Sequence, residues 1–332
     1  MSSKKTRWLS VAALSAGLVC LPCPTHAQDR PDPEKPDADF PLQGEYSGTI
    51  PSRTGRVKMG VQVIALGDGA FQAVYYTEGL PGDGWNKKDP ERIDGTRENQ
   101  QVVFQGKKIT GSLAKGVLRV ARGNELFGEL AKVHRKSKTL GQRPAKNAVV
   151  LFDGTSAEGF VSDRGGPAKM TEDGLLTRGA NSKHLFGDCH LHVEFRLPYE
   201  PKARGQGRGN SGVYLQGRYE VQVLDSFGLT GESNECGGIY GLKKPDLNMC
   251  YPPLSWQTYD VGFTAAKYDD QGKKKTNARF TVWHNGVLIH DNVELPNPTP
   301  VAPLKESIEK GFLHLQDHGN LVRYRNIWLL EK

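Results

Sequence analysis

The stretch NSGVYLQGRYEVQVLD, residues 210–225, decides the fold. Apolar and polar side chains alternate along it, which predicts two antiparallel strands folded at a tight turn, with one face buried. The buried face is expected to carry Val213, Leu215, Tyr219, Val221 and Val223. The opposite face carries Tyr214, Gln216, Glu220 and Gln222. Aromatic rings stack on sugars, and carboxamides and carboxylates hydrogen-bond to sugar hydroxyls, so this face is the first candidate for a functional surface.

The rest of the chain also predicts strands rather than helices. The chain has 332 residues, of which 39 are Gly and 20 are Pro, and long apolar stretches of helical period are missing. Further alternating strands are predicted at 190–197, 257–264, 278–284, 287–290, 311–317 and 321–330. Many short strands without intervening helices predict an all-β sandwich, or jelly roll, for residues 148–332. One short helical turn is expected near residues 304–309.

The first part of the chain is expected to form separate segments. Residues 43–134 alternate in short runs, with the hairpin signal Gly67-Asp68-Gly69, and predict a small all-β domain of unassigned role. The polar, basic residues 135–147 are interpreted as a linker. Residues 28–42 are rich in Pro and Asp and are expected to be a flexible leader.

The N-terminus has the layout of a secretory signal peptide. A basic start at residues 4–7 precedes an apolar run at 8–21 and a small-residue site ending at Ala27. We therefore expect cleavage near Ala27 and export to the periplasm or the medium. A lipoprotein anchor at Cys20 is the alternative. No other segment is long and apolar enough to predict a membrane span.

Three cysteines remain after such processing, which leaves an odd count in an exported protein. Cys236 and Cys250 both lie in loop-like sequence and are the expected disulfide pair, whereas Cys189 opens a strand and is expected to be buried. Zinc is not expected, because paired Cys or His spacing is missing. The net charge of +7 is scattered, so nucleic-acid binding is not expected either.

Two more strands carry unusual polar faces. The run HLHVEFRL, residues 190–197, leaves His192, Glu194 and Arg196 on one side. The run GFLHLQDHGN, residues 311–320, places Phe312, His314, Gln316 and His318 on one side. If these strands neighbour the 210–225 hairpin in one sheet, they form a single concave polar floor. The alternative is that each face is solvated independently.

Five motifs in order carry a resemblance to a known family: LFDGTSAEGF, NSGVYLQGRYEVQVLD, WQTYDVGF, HNGVLIHD and LQDHGNLVRYRNIW. Residues 148–332 closely resemble the 3-keto-disaccharide hydrolases, whose members are described as 3-keto-glucoside 1,2-lyases and 3-keto-2-hydroxy-glucal hydratases. The resemblance implies a concanavalin A-like β-sandwich. That family often carries Arg where this chain has Gln216.

The chemistry implied by the resemblance is β-elimination across C1–C2 of a 3-keto-glucoside, hydration of the resulting 2-hydroxy-glucal, or both. It requires a base, an acid and donors to an enolate oxygen. The candidates for proton transfer are Glu194, Glu220 and His318. The candidates for substrate binding are His192, Arg196, Asn210, Tyr214, Gln216, Gln222, Asp225 and Gln316.

Two other functions stay open. A lectin-like module without catalysis would need only Tyr214 and the amides. A conventional glycoside hydrolase is disfavoured, because retaining hydrolysis needs two carboxyl groups about 5–5.5 Å apart and an amide, Gln222, stands in the middle of the comparable run. No cofactor is expected, although a structural calcium near Asp225, Glu235 or Asp246 stays open. The expected partners are an oxidised glucoside or oligosaccharide and, upstream, a separate 3-dehydrogenase.

Overall fold

Short antiparallel strands dominate the structure, as the alternating sequence predicts. The computed structural model describes residues 36–52, 55–123 and 125–332. The predicted signal peptide and most of the predicted leader lie outside these residues. Within them the chain forms a closed β-barrel followed by a sandwich of two antiparallel sheets, which confirms the all-β fold class. No helix in the described ranges is long and apolar enough to cross a membrane.

In the described part of the chain, eight strands in sequential order close the barrel. They are β1 (Gly44–Ser52), β2 (Gly55–Gly67), β3 (Ala70–Thr77), β4 (Glu91–Glu98), β5 (Gln101–Gln105), β6 (Thr110–Ala114), β7 (Val117–Arg122) and β8 (Glu125–Val133). One side of β2 and β3 fills the interior, where Val61, Val63, Phe71, Ala73 and Tyr75 are buried together. The barrel therefore holds a packed core of its own.

The sandwich follows from residue 149 onward. Its strands are β9 (Val149–Phe152), β10 (Phe160–Ser162), β11 (Leu176–Thr177), β12 (Ala180–Phe186), β13 (Cys189–Arg196), β14 (Ser211–Leu215), β15 (Tyr219–Val223), β16 (Trp256–Thr264), β17 (Lys267–Tyr268), β18 (Lys274–Thr276), β19 (Ala278–His284), β20 (Val287–Leu295), β21 (Gly311–Leu315) and β22 (Arg323–Glu331). Strands β17 and β18 pair separately as a small ribbon. Two 3-10 turns, Phe40–Leu42 and Gly205–Gly207, complete the regular structure of the described residues. The helical turn expected near residues 304–309 does not form; that segment is an irregular loop.

Two sheets face each other across the sandwich core. One sheet has the order β10-β12-β21-β14-β15, and the other has β11-β22-β13-β16-β19-β20 with β9 beside β22. The predicted apolar sides of the 210–225 hairpin and of β13 both point into this core. Their polar sides consequently lie on the two opposite outer faces of the sandwich, because successive side chains of a strand alternate between faces.

The barrel and the sandwich share buried surface. Ile64, Val74, Tyr76 and Leu80 of the barrel belong to the same apolar cluster as the sandwich core. A Cβ on Gly228 would lie 2.4 Å from Ile64 Cδ1, so the loop that follows the hairpin approaches the barrel at a distance that only glycine permits.

Residues 36–42 and 135–147 pack more closely than the sequence predicts. Asp39, assigned to the flexible leader, is buried and accepts a hydrogen bond from the Gly69 amide over 2.8 Å. In the segment predicted as a linker, Arg135 forms an ion pair with buried Glu45. The leader and linker predictions rested on the polar composition of these two segments. In the structure the polar side chains of Asp39 and Arg135 bond to the barrel.

Candidate active site

A cavity of about 280 Å³ opens on the outer face of the five-stranded sheet. Strand β15 contributes Glu220 and Gln222, and the segment that leaves β21 contributes Gln316 and His318. Loops contribute the remaining lining residues, Gln206, Asn210, Tyr240 and Val301. Five of the predicted site residues, namely Glu220, His318, Asn210, Gln222 and Gln316, therefore meet in one cavity.

Glu220 is the carboxyl group of this cavity, and it is only 1% exposed. Burial raises the pKa of its side chain from 4.5 to about 8, against a smaller lowering by a hydrogen bond with Tyr214. Its Oε2 atom is buried without a hydrogen-bond partner among the described residues. Because the pKa lies above neutrality, most molecules carry this carboxyl protonated at pH 7.

The floor beneath Glu220 is shaped by Gly212 and Tyr214 on the adjacent strand β14. A Cβ on Gly212 would lie 2.2 Å from Glu220 Oε1 and 2.7 Å from Cε2 of Tyr214, so only glycine lets the carboxyl rest there. The Tyr214 hydroxyl accepts a hydrogen bond from Gln316 Nε2 over 3.2 Å. Tyr214 therefore supports both the acid and an amide from below.

The carboxamides surround the acid. One end of the Gln222 carboxamide lies 2.8 Å from Glu220 Oε1 and 2.9 Å from the carbonyl oxygen of Ser211, and the nitrogen fits this end because it donates to both oxygens. Asn210 Nδ2 donates to the Gln206 carbonyl oxygen over 2.8 Å. The cavity thus combines one neutral acid, one histidine and several amides, a set suited to proton transfer on a polyhydroxylated substrate.

The sequence model of the 3-keto-alpha-glucoside-1,2-lyase-like domain matches residues 147–330, more than half of the chain. The protein belongs to this family. Membership supports a carbohydrate-active function and confirms the resemblance in the sequence. The chain matches no curated protein.

One solved structure agrees with the family assignment. A protein of Parabacteroides distasonis, provisionally described as a glycosyl hydrolase, is 33% identical, with a TM-score of 0.52 over 56% of this chain and 84% of that one. Two further structures from the same organism carry the same description. One is 19% identical with a TM-score of 0.43 over 60% of this chain and all of the other. The second is 20% identical with a TM-score of 0.34 over 56% of this chain and 94% of the other.

Two predicted binding residues of the family domain lie away from the cavity. Gln216 sits in the turn after β14 with a φ of 55°, and its carboxamide donates to the Phe186 carbonyl oxygen and accepts from Arg218. Asp225 is buried 2.6 Å from Arg208 Nε. Substrate contact by these two residues stays a prediction; in the structure each polar side chain binds a neighbouring part of the fold.

The structure does not form the single polar floor that the sequence predicts. His192, Glu194 and Arg196 lie on a different sheet from the Glu220 cavity. Strand β13 belongs to the seven-stranded sheet, while β14, β15 and β21 neighbour one another in the five-stranded sheet. Because packed sheets lie about 10 Å apart, residues on the two outer faces cannot share a substrate. The alternation assigned the correct side of each strand, but sheet membership depends on contacts between distant residues.

The 135–147 segment covers the outer face of β13. The Gly141 amide donates to Glu194 Oε1 over 2.5 Å, and Arg325 Nε donates to Glu194 Oε2 over 2.7 Å. Burial alone would raise the pKa of Glu194, but hydrogen bonds from His192, Asn326, Arg325 and the Gly141 amide lower it to about 2. Glu194 is therefore ionised at neutral pH and held by four donors of the fold.

His192 is fully buried beside this carboxylate. Burial alone would lower its pKa, but hydrogen bonds to Asp260, over 2.7 Å, and to Glu194 raise it. Arg196 lies at the end of the same strand with its guanidinium over the Trp256 ring. These interactions account for the polar face of β13 without a substrate.

The structure adds residues that the sequence prediction did not select. Gln206 and Tyr240 reach the cavity from loops, where strand alternation gives no signal. His314 lies on the outer face with its ring 5.2 Å from that of Tyr214, and its Nδ1 lies 2.6 Å from Asn181 Oδ1. The sequence could have indicated His314, because it lies on the same polar side of β21 as Gln316.

The predicted Cys236–Cys250 disulfide is not formed; both cysteines are free and buried, as is Cys189. Cys236 Sγ lies 3.1 Å from the Tyr259 hydroxyl, and Cys250 Sγ lies 3.6 Å from the Leu224 carbonyl oxygen. The two thiols are thus accommodated by partners in the core.

The carboxylates considered for calcium do not converge. Asp225 pairs with Arg208, Asp246 pairs with Lys243, and Glu235 accepts hydrogen bonds from amides of its own loop. Within residues 36–52, 55–123 and 125–332, no group of three or more His, Cys, Asp or Glu side chains could hold a metal ion.

Proposed function

We propose that the domain of residues 148–332 acts on 3-keto-glucosides by β-elimination across C1–C2, with hydration of the 2-hydroxy-glucal as the second half-reaction. The observation that carries this proposal is Glu220, a buried carboxyl with a pKa of about 8 in a cavity lined by amides and a histidine. A neutral acid at physiological pH is what departure of an alkoxide leaving group requires.

The roles follow from this protonation state. His318, at the open rim of the cavity, removes the C2 proton, which the ketone at C3 makes acidic. The electrons of the C2–H bond form the C1=C2 double bond by way of the enolate, and the C1–O bond breaks. Glu220 gives its proton to the departing oxygen, so that the aglycone leaves as an alcohol. Amide donors such as Gln316 hold the developing enolate and the hydroxyls.

Hydration uses the same groups. Water adds its oxygen to C1 while a proton returns to C2, which yields the free 3-keto sugar. The ketone itself must come from a separate dehydrogenase, because the chain lacks a dinucleotide-binding fingerprint. We infer that the activity is exported, which the signal-peptide layout of the N-terminal sequence supports.

Ordinary glycoside hydrolysis is less well supported. A retaining hydrolase needs a second carboxyl group about 5–5.5 Å from the first, and an inverting enzyme needs one farther away. Among the described residues that line the cavity, Glu220 is the one carboxyl. Asp225, the other acid of the hairpin, is engaged by Arg208.

The experiment compares a 3-keto-glucoside with its unoxidised parent by NMR. We expect cleavage of the keto compound alone, with a transient 2-hydroxy-glucal, and loss of that signal in Glu220→Gln and His318→Ala. Glu194→Gln is the matched control, since it removes a buried carboxylate of the other sheet and should leave turnover within about twofold of wild type.

Two results would contradict the proposal. Cleavage of the unoxidised parent would identify a conventional hydrolase. Binding of saccharides without consumption of either compound would identify a lectin-like module. In that case Glu220→Gln should change the binding affinity, and no turnover would be measured in either protein.

A further inference from the structure

A second cleft lies at the edge of the sandwich, where the chain crosses from β11 to β12 at Gly179. Its volume is about 370 Å³, larger than that of the Glu220 cavity. Its charged lining consists of four cationic and two anionic side chains, which are Arg164, Lys169, Arg178, Arg323, Asp163 and Asp317. The cleft is therefore positively charged, and nothing in the chemistry proposed above uses it.

Asp317 orients two of the arginines. Its Oδ1 lies 2.8 Å from Arg178 Nε, and its Oδ2 lies 2.9 Å from Arg164 Nη2. Arg178 also donates to the Gly319 carbonyl oxygen over 3.2 Å. One carboxylate cannot neutralise two guanidinium groups, so the pair keeps a net positive charge and further donors in a fixed orientation. Guanidinium groups held in this way bind carboxylate or sulfate oxygens through paired hydrogen bonds.

One segment of the chain, residues 316–318, contributes lining residues to both the cleft and the Glu220 cavity. Gln316 and His318 line that cavity, while Asp317 between them lines the cleft. A saccharide with one ring at Glu220 and an anionic unit in the cleft would pass along this segment.

We propose that this cleft binds the carboxylate of an acidic saccharide, such as a uronate unit linked to the sugar ring that enters the Glu220 cavity. The proposal rests on the carbohydrate function proposed above and names a substrate class for it. The cleft selects the anionic unit, and the Glu220 cavity processes the neutral oxidised ring.

The test is an NMR chemical-shift titration of the full chain with glucuronate, glucose and inorganic phosphate at low salt. Wild type should bind glucuronate at least about tenfold more tightly than glucose, and the double variant Arg164→Gln/Lys169→Gln should lose about tenfold of that affinity. Arg164 is 79% exposed, so its replacement should not disturb folding. Lys107→Gln/Lys108→Gln, which removes two exposed charges of the barrel, is the charge-matched control and should bind as wild type does.

The outcomes separate this proposal from the proposed reaction. Equal binding of glucuronate and glucose, or full affinity in the double variant, overturns the anionic subsite. Binding of phosphate without glucuronate overturns it in favour of a free-anion site. If wild type leaves a neutral 3-keto-glucoside intact while glucuronate binding still depends on Arg164 and Lys169, the lyase reaction fails and the subsite stands.

Discussion

Replacing Glu220 by glutamine should change how the stability of the protein depends on pH. Burial raises the pKa of this carboxyl from 4.5 to about 8 in the folded protein. Between these two values the folded state holds a proton that the unfolded state has released. Unfolding therefore becomes easier as pH rises from about 4.5 to about 8, and the loss is complete above the folded-state pKa.

The size of the effect follows from the two pKa values. A difference between 4.5 and about 8 corresponds to about 5 kcal/mol of unfolding free energy lost by pH 9, and to about 3 kcal/mol by pH 7. Glutamine matches the neutral acid in shape and has no charge to lose. For a domain of this size the variant should gain about 10 °C in Tm over wild type between pH 5 and pH 9.

Thermal unfolding at pH 5, 7 and 9 tests this expectation, with Glu158→Gln, an exposed glutamate of the same domain, as the control. The Tm difference between Glu220→Gln and wild type should widen with pH, and that for the control should stay constant. A constant difference for both variants would refute the reasoning, because Glu220 would then titrate like a solvated carboxyl and could not serve as the acid at neutral pH.

Three further predictions concern the same domain. Turnover of a 3-keto-glucoside should fall as pH rises through about 8, since Glu220 acts in its protonated form; a rate that rises through this range would make it the base. Gly212→Ala should lower turnover by about 100-fold, because the added Cβ would displace the Glu220 carboxyl. The far-UV circular dichroism should stay unchanged. Near-normal turnover would show that the carboxyl has room to move. Glu194→Gln should reduce the unfolding free energy by about 2 kcal/mol in urea titrations, because it leaves Arg325 without its carboxylate partner; an unchanged midpoint would contradict the assigned structural role.

Strand alternation predicted the fold class and the buried side of each main strand. Val213 and Val221 face the core and Glu220 and Gln222 line the cavity, as a period of two requires. This success reflects local chemistry, because a half-buried strand must separate apolar from polar side chains wherever it lies.

The failures concern information that is not local. Glu194 and Glu220 both lie on the predicted polar side of their strands, yet β13 joins a different sheet from β15. The covering of Glu194 by Gly141 depends on a segment more than fifty positions away in the chain. Gln216 continues the polar alternation of the hairpin, but the turn directs its side chain to the Phe186 carbonyl oxygen. Asp225 follows the second strand with the parity of the apolar side, and it forms an ion pair with Arg208.

The contrast between the two glutamates explains why one of them is suited to catalysis. Both are about 1% exposed, so burial penalises the charged form of each. Glu194 receives donors from a guanidinium, an amide side chain, an imidazole and a backbone amide, and its pKa falls to about 2. Glu220 meets only neutral groups, the Tyr214 hydroxyl and the Gln222 carboxamide, among the partners described above, and its pKa rises to about 8. A buried carboxyl stays protonated at neutral pH only where no cationic group lies beside it. Of the two outer faces, that of the five-stranded sheet meets this condition at Glu220 and also has an open cavity there.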